Sequence, residues 1–428
     1  MSGRRGTGME DREWICIQPE YVARFQCDGS KCQSKCCQGW QITLDAATCH
    51  KYEDIPDAEL RQALKKDVVW HAPSRTHRMK MRPNGACPML RDDMLCRIQR
   101  SCGESYLSDT CASFPRRTFR CGTFVERALS LACPVAARLA LLDPAPMRLV
   151  QVTLQGERSG SFFQPNLAAV PQGAYLLSLQ MAGISILQTR QLTINERLVA
   201  LGDYCRRVDL LLQKGQGDRI DALMDSGSTV AELRGSRQAL GAGAFQPDRW
   251  LRFMLGLLDA LYGTGIVLYS DEQLNYVPYI TEAFGLAGTP KELSELRTAY
   301  RQNRKLYQQY VVEPYGYVLE HYLVQEYFNN LYPCKLGGDC VHDFAVYLVF
   351  YEFLELVLMS VAAKRRDQLT VEDILGVIER LAQRTDHASV FLAETEKALQ
   401  AASWSLAELL AGLVEENEGG SRCDRMIF

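Results

Sequence analysis

The stretch Cys27-Asp-Gly-Ser-Lys-Cys32-Gln-Ser-Lys-Cys36-Cys37 places four thiols within eleven residues. A Gly, two Ser and the lack of an apolar period mark it as loop rather than helix or strand. Clustered thiolates on a short loop suit a thiophilic metal, because zinc and iron bind sulfur at distances that only neighbouring side chains meet. Successive side chains diverge, so Cys36 and Cys37 fit two metal atoms, or one ligand and one bystander, better than two corners of one tetrahedral zinc site. Further on stand Cys87-Pro88, Cys96, Cys111 and Cys133-Pro134. Twelve of the sixteen cysteines lie before residue 134, and the other four (Cys205, Cys334, Cys340, Cys423) are spread over the rest. Residues 1–145 are therefore expected to form a metal domain. Spacing alone leaves the metal open between iron–sulfur and zinc, since a paired CxxC signature is missing.

Charge divides unevenly along the chain. Residues 1–150 hold 23 Lys+Arg against 17 Asp+Glu and the remainder 25 against 34, within a total of −3. Basic residues crowd near the cysteines in Arg75-Thr-His77-Arg78-Met-Lys80-Met-Arg82 and in Arg116-Arg117-Thr-Phe-Arg120. Such runs are either a solvated face or the counter-charge to an anionic cluster, a carboxylate or an acidic protein partner. The negative total and the lack of a reading motif speak against nucleic acid as partner. Met1-Ser-Gly-Arg-Arg-Gly-Thr-Gly-Met has two arginines with no apolar run behind them and does not read as a secretory signal. A reducing, cytoplasmic setting is expected, in which thiols persist as metal ligands rather than disulfides.

Residues 14–26 read as an extended lead-in, limited by Pro19. Gly39-Trp-Gln-Ile-Thr-Leu44 reads as a strand. The Asp45 carboxylate then caps a helix to about Tyr52 by accepting first-turn amides. A second helix, Asp57 to Val68, sets Leu60 and Leu64 one turn apart. Residues 71–135 have little period and many Cys, Pro, Gly and Arg, so they are expected to wrap irregularly on metal, with the centre replacing apolar burial as the folding drive. A helix from Pro134 to about Leu142 closes the unit, its N-terminal dipole favouring a thiolate at Cys133.

From Pro171 the period becomes helical, with segments at 172–190, 194–215, 217–226, 247–262, 271–285, 290–312, 315–331, 341–365, 370–384, 387–401 and 403–416. Thr193-Ile-Asn-Glu196, Thr289-Pro290 and Thr370-Val-Glu-Asp373 are start signals. The Gly/Ala/Ser-rich stretch 226–246 is the expected internal break in a helical domain of residues 146–428. The run from His342 to Val361 is apolar enough for a membrane span, but Glu352 and Glu355 near its middle favour a buried helix. The amphipathic segment from Trp404 to Val414 suits core packing first, with a peripheral membrane surface or a second subunit (a homo-oligomer) as its other fits. No strands alternate with these helices, which argues against a doubly wound parallel sheet. The expected class is mainly α: an irregular cysteine-rich N-terminal metal-binding domain followed by an all-helical C-terminal region.

The order Cys27-x4-Cys32-x3-Cys36-Cys37-x-Gly39-Trp40, Cys87-Pro-Met-Leu90, Leu95-Cys96-Arg-Ile-Gln99, Leu107-Ser-Asp-Thr-Cys111-Ala-Ser-Phe-Pro115-Arg116 and Leu131-Ala-Cys133-Pro134 resembles the flagellin lysine N-methylase family of enteric bacteria. Leu319-Glu320-His-Tyr322-Leu-Val-Gln-Glu-Tyr-Phe-Asn-Asn-Leu-Tyr-Pro333 is similar to that family's C-terminal helical motif. The N-terminal half also looks like small zinc- or iron-chelating proteins, so a metal-binding or electron-transfer protein with a helical interaction domain is the second function class. The family resemblance implies a cytosolic methyltransferase acting on surface lysines of flagellin, with S-adenosylmethionine as donor and an oxygen-sensitive 4Fe-4S cluster. It carries the ligand role onto Cys27, Cys32, Cys36, Cys37, Cys87, Cys96, Cys111 and Cys133. Eight thiolates exceed what one cubane takes, which implies two centres or some structural thiols. Cys16, Cys49, Cys102 and Cys121 fall outside the motif and read as small buried side chains.

Two familiar donor-binding patterns are missing. A radical S-adenosylmethionine signature, Cys-x3-Cys-x2-Cys, would start at Cys32 and Cys36 but meets Gly39 in its third place. Leu240-Gly-Ala-Gly243 follows no strand and reads as a turn, not a methyltransferase glycine loop. The donor site and the catalytic residues are thus unassigned by motif. A lysine attacks only as the neutral amine, against a free pKa of about 10.4, so some group must desolvate it or take its proton. Glu313-Pro-Tyr315-Gly-Tyr317-Val-Leu-Glu320-His321-Tyr322 gathers Tyr and Glu suited to that task. Its other reading is an aromatic core stripe with solvated acids.

Overall fold

The computed structural model describes residues 13–32, 36–37, 42–72, 75–155, 162–226, 247–263, 276–286, 293–385 and 389–415. The chain divides into two compact units, 1–165 with 269–274 and 375–387, and 166–268 with 275–374 and 388–428. The 226–246 break, apart from Ser226, and the Leu240–Gly243 turn lie outside the described residues, as do the Thr289-Pro290 start signal, Cys423 and the first residues of the 39–44 strand.

In chain order the first unit runs β1 (Trp14–Pro19), β2 (Thr43–Leu44), α1 (Ala46–Glu53), α2 (Ala58–Asp67), β3 (Val68–His71), β4 (Thr76–Met79), α3 (Arg97–Cys102), α4 (Asp109–Ser113), β5 (Arg116–Cys121), β6 (Phe124–Leu129), α5 (Pro134–Leu141), β7 (Leu149–Leu154) and β8 (Phe162–Phe163). Asp45 caps α1 as expected, accepting the N–H of Thr48 at 2.7 Å, and Asp57 caps α2 in the same way, accepting the N–H of Leu60 at 2.9 Å. A mixed five-stranded sheet has the order β7-β1-β6-β5-β8, and a three-stranded one has β2-β4-β3. β1 lies parallel to β6 and antiparallel to β7.

This corrects the expectation of irregular backbone without an apolar core over 71–135. Ile42, Leu44, Tyr52, Ile55, Leu60, Leu64, Met79, Met89, Ile98 and Leu107 form one buried cluster. Each short element gives it only one or two side chains, so no period shows in the sequence. The arginines that hid the β5–β6 hairpin lie against the sheet. Arg120 sits over the Trp14 ring at 5.0 Å, Arg117 over Phe119 at 5.5 Å and Arg116 over Phe25 at 5.3 Å, while buried Arg127 donates to Thr118 Oγ1 at 3.0 Å. Their stems and planes serve as packing surface. Gly122, at φ +72°, turns the hairpin.

The second unit is helical: α6 (Leu176–Leu187), α7 (Ile194–Gln213), α8 (Ile220–Ser226), α9 (Pro247–Gly263), α10 (Val277–Phe284), α11 (Leu293–Tyr307), a π-helical turn (Gln308–Val312), α12 (Glu313–Asn329), α13 (Cys340–Arg365), α14 (Val371–Thr385), α15 (Ser389–Ala402) and α16 (Leu406–Glu415). Residues of α14 from Leu375 on group with the first unit. Thr193 and Glu196 close a reciprocal capping box at the start of α7. The apolar helix α13 is a core helix whose most apolar window is 94% buried within the protein. Its acids are met by donors: Glu352 accepts Trp250 Nε1–H at 2.7 Å, and Glu355 accepts the Tyr307 and Tyr351 hydroxyls at 3.0 Å each. Leu409, Leu410 and Leu413 of α16 are buried, and Asn195 of α7 donates to the Leu413 carbonyl, so that amphipathic face is used within the unit.

Candidate metal centre

Local structure ties Cys37, Cys87 and Cys96 together, and Cys111 packs against the same apolar cluster. The Cys87 amide donates to the Cys37 carbonyl at 2.8 Å, tying the first loop to the Cys87-Pro-Met-Leu90 turn. That turn closes through Leu90 N–H to the Cys87 carbonyl, and an isolated bridge pairs Leu90 with Cys96. Cys96 stands at the N-cap of α3, and Cys111 sits on α4, where the Ser108 hydroxyl accepts its N–H at 3.3 Å. Cys133 is the N-cap of α5.

Electrostatics reports the grouping. Cys37 donates its proton to Cys36, which holds Cys36 down at about 7 and pushes Cys37 far up, with burial and the thiols of Cys36, Cys111 and Cys87 adding to the rise. Burial pushes Cys111 up to about 12 and Cys87 to about 11, with Cys96 among the neighbours that add to both. Cys96 is raised by burial and by Cys36. Cys36, Cys37, Cys87, Cys96 and Cys111 therefore sense one another as one set. Burial also pushes Cys133 up to about 11, with Cys32 and Cys27 adding, which defines a second set of Cys27, Cys32 and Cys133. The helix N-terminus acts on Cys133 in the expected direction, the amides of Ala136 and Val135 lowering it, but desolvation is the larger effect.

Among the described residues no three Cys, His, Asp or Glu side chains stand close enough to enclose a metal ion. The donor set nonetheless fits a thiophilic centre in its chemistry. Thiols that raise one another's pKa in a buried place are those whose protons a cation would displace. Of the other N-terminal cysteines, Cys49 and Cys102 are partly buried against the same apolar cluster as Cys37, Cys96 and Cys111. Cys16 and Cys121 are core side chains of the five-stranded sheet, and Cys49 and Cys102 are raised by burial beside the carboxylates of Asp45 and Asp57 respectively.

Sequence reading missed three groups around the first set. Arg82 Nη2 donates to the Pro88 carbonyl at 2.9 Å and its charge lowers Cys87. Ser108, fully buried, lowers Cys111. Tyr52 is buried within the field of Cys111, Cys96, Cys87 and Cys49. Ser108 lies inside the quoted Leu107–Arg116 motif without having been singled out, Arg82 is the last member of a basic run, and Tyr52 carried no signal.

In the helical unit, the Tyr- and Glu-rich segment opens α12 just after the π-helical turn, and Tyr315 there leaves helical geometry at φ −131°. Glu320 is not a solvated acid. It is 2% exposed and accepts Arg190 Nη2 and Arg197 Nη1, each at 2.8 Å. Arg197 also donates to the Leu187 and Leu192 carbonyls, so one ion cluster ties α6, α7 and α12. Tyr322 is buried, Tyr315 and Tyr317 are half-buried, and Glu313 is exposed.

A thiol-bearing unit with small sheets, and a helical unit built around a buried apolar helix and a carboxylate–arginine cluster, define a two-unit, mainly α class of cysteine-rich protein. The family profile described as FliB lysine N-methylase C-terminal domain matches residues 181–412, more than half of the chain, and the chain belongs to that family. It is 38% identical over 146 residues to a lysine-N-methylase of Salmonella typhimurium, a stretch covering 33% of this chain and 36% of that protein. It is also 38% identical over 141 residues to the flagellar biosynthetic protein FliU of Salmonella muenchen, covering 32% of this chain and 83% of FliU. The matched stretch thus spans about a third of the S. typhimurium relative. No solved structure matches the chain.

Proposed function

We propose that this protein is a cytoplasmic methyltransferase that moves a methyl group from S-adenosylmethionine to lysine amines of flagellin, in dependence on an iron–sulfur cluster. The observation that carries the reading is the family match over 181–412, which takes in the π-helical turn, the break at Tyr315 and the Glu320 cluster. Local departures from α geometry are frequent at functional sites. Of the segment's groups, Glu320 is neutralised by two arginines and Tyr322 is buried, which leaves Glu313, Tyr315 and Tyr317 as those an incoming amine can meet. Their part is to orient the amine and accept its proton, while the donor's sulfonium carries off the electron pair of the broken carbon–sulfur bond.

The cluster would be held by Cys36, Cys37, Cys87, Cys96 and Cys111, with Cys27, Cys32 and Cys133 as a second set. An iron–sulfur group there supplies electron transfer or an iron site for the donor's amino-carboxylate. Arg82 and Ser108 keep their thiols in place.

The test is incubation of anaerobically purified protein with methyl-labelled donor and flagellin. Label on flagellin lysines is expected; no label, from protein whose iron content and visible absorption are intact, overturns the activity. Tyr317→Phe and Glu313→Gln should lower kcat by roughly 10²-fold or more if they handle the proton, with unchanged folding by circular dichroism. Replacing Cys37 and Cys87 by Ser should remove the visible absorption, whereas Cys102→Ser should leave it.

A further inference from the structure

The three-stranded sheet ends on β3, and among the described residues no strand pairs with its outer edge. The Asp67 carbonyl accepts Lys80 N–H at 2.7 Å, and the register continues as Val69↔Arg78 and His71↔Thr76. Alternation in an antiparallel pair turns the main-chain groups of Val68 and Trp70 the other way. The Val68 amide is already taken by the Leu64 carbonyl, so among the described residues Trp70 presents the open N–H and C=O pair. Its ring is 58% exposed, with Val69 38% exposed beside it, although β3 itself bears no Lys, Pro or acid of the kind that blunts an edge. Between residues 61 and 82 seven Lys and Arg face one acid, Asp67. Lys65, Lys66, Arg75 and Lys80 among them are exposed around the ends of the strand.

We propose that β3 is a docking edge for an extended, acidic segment of a partner protein, which adds as a fourth strand beside Val68–His71 and sets its carboxylates against Lys65, Lys66, Arg75 and Lys80. A polypeptide fits better than a nucleic acid, because the open groups are those of strand pairing and one ring gives no run of stacking platforms. The inference concerns binding alone and stands whether or not the chain transfers methyl groups.

The test uses the full chain and fluorescence anisotropy at low salt. The probes are a labelled octapeptide of alternating Glu and Val, the same peptide N-methylated on alternate amides, a Lys–Val counterpart, and a labelled single-stranded oligonucleotide. Binding of the acidic peptide is expected, weakening as salt rises past the screening range. Trp70→Ala and the pair Lys65→Glu with Lys66→Glu should each weaken it about tenfold with circular dichroism unchanged. Arg75→Glu gives a second charge variant should the pair fail to fold. Equal binding by the variants or by the N-methylated peptide, no binding of the acidic peptide, or preference for the Lys–Val peptide or the oligonucleotide overturns the proposal.

Discussion

Glu320 joins three helices through one carboxylate. Replacing it with Gln leaves Arg197, whose side chain is 8% exposed, without its counter-charge, and should cost about 3–5 kcal/mol in urea unfolding. Arg190 is 39% exposed, so Arg190→Ala should cost at most about 1 kcal/mol. Asp343 offers a pH test. It is wholly buried and accepts the amides of Lys335 at 2.5 Å and Leu336 at 3.2 Å, yet burial pushes its carboxyl up to about 6. The folded chain holds that proton more tightly than the unfolded one, so this group's contribution is fully present below the ordinary carboxylate range and is lost as pH rises to about 6. Asp343→Asn should remove that slope, worth about 3 kcal/mol, from unfolding free energies measured across the window. An acid's partners are the least legible feature of a sequence. Nothing around Glu320 marks the arginines 130 and 123 residues upstream, and the bland reading set it in solvent.

Elements differ in how openly they are written. The helices of the second unit were readable because each repeats apolar side chains every three or four residues and several carry caps such as Thr193 with Glu196. The β5–β6 hairpin was not, because arginines occupy places where an apolar residue would have shown alternation, and its partners β1 and β8 are distant in sequence. The thiol-bearing turns stood out in the sequence by their cysteines, but the main-chain bond from Cys87 to Cys37 that ties two of them together did not. Close approach is equally silent. A Cβ at Gly183 of α6 would overlap the Tyr327 ring of α12, so Gly183→Ala should cost about 1–3 kcal/mol by thermal unfolding, although alanine favours helices.

At the scale of the molecule the two units draw on different sources of stability. The second buries an apolar helix on nearly every side, whereas the first combines a modest apolar cluster with partly buried thiols that burial keeps protonated. Calorimetry should therefore resolve two transitions, and, if the chain holds the proposed iron–sulfur group, its removal by a chelator should lower one while leaving the other in place; a uniform shift of both would contradict this division.

The first unit is not finished by its own early residues. Gln383, on the late segment that returns to it, donates to the carbonyl of Ala132 at 3.3 Å, immediately before the Cys133 that caps α5. During synthesis the sulfur-bearing unit gains this last segment only after most of the remaining chain has been made. A truncated fragment ending at the boundary of the early residues would therefore lack a segment that this unit needs to close.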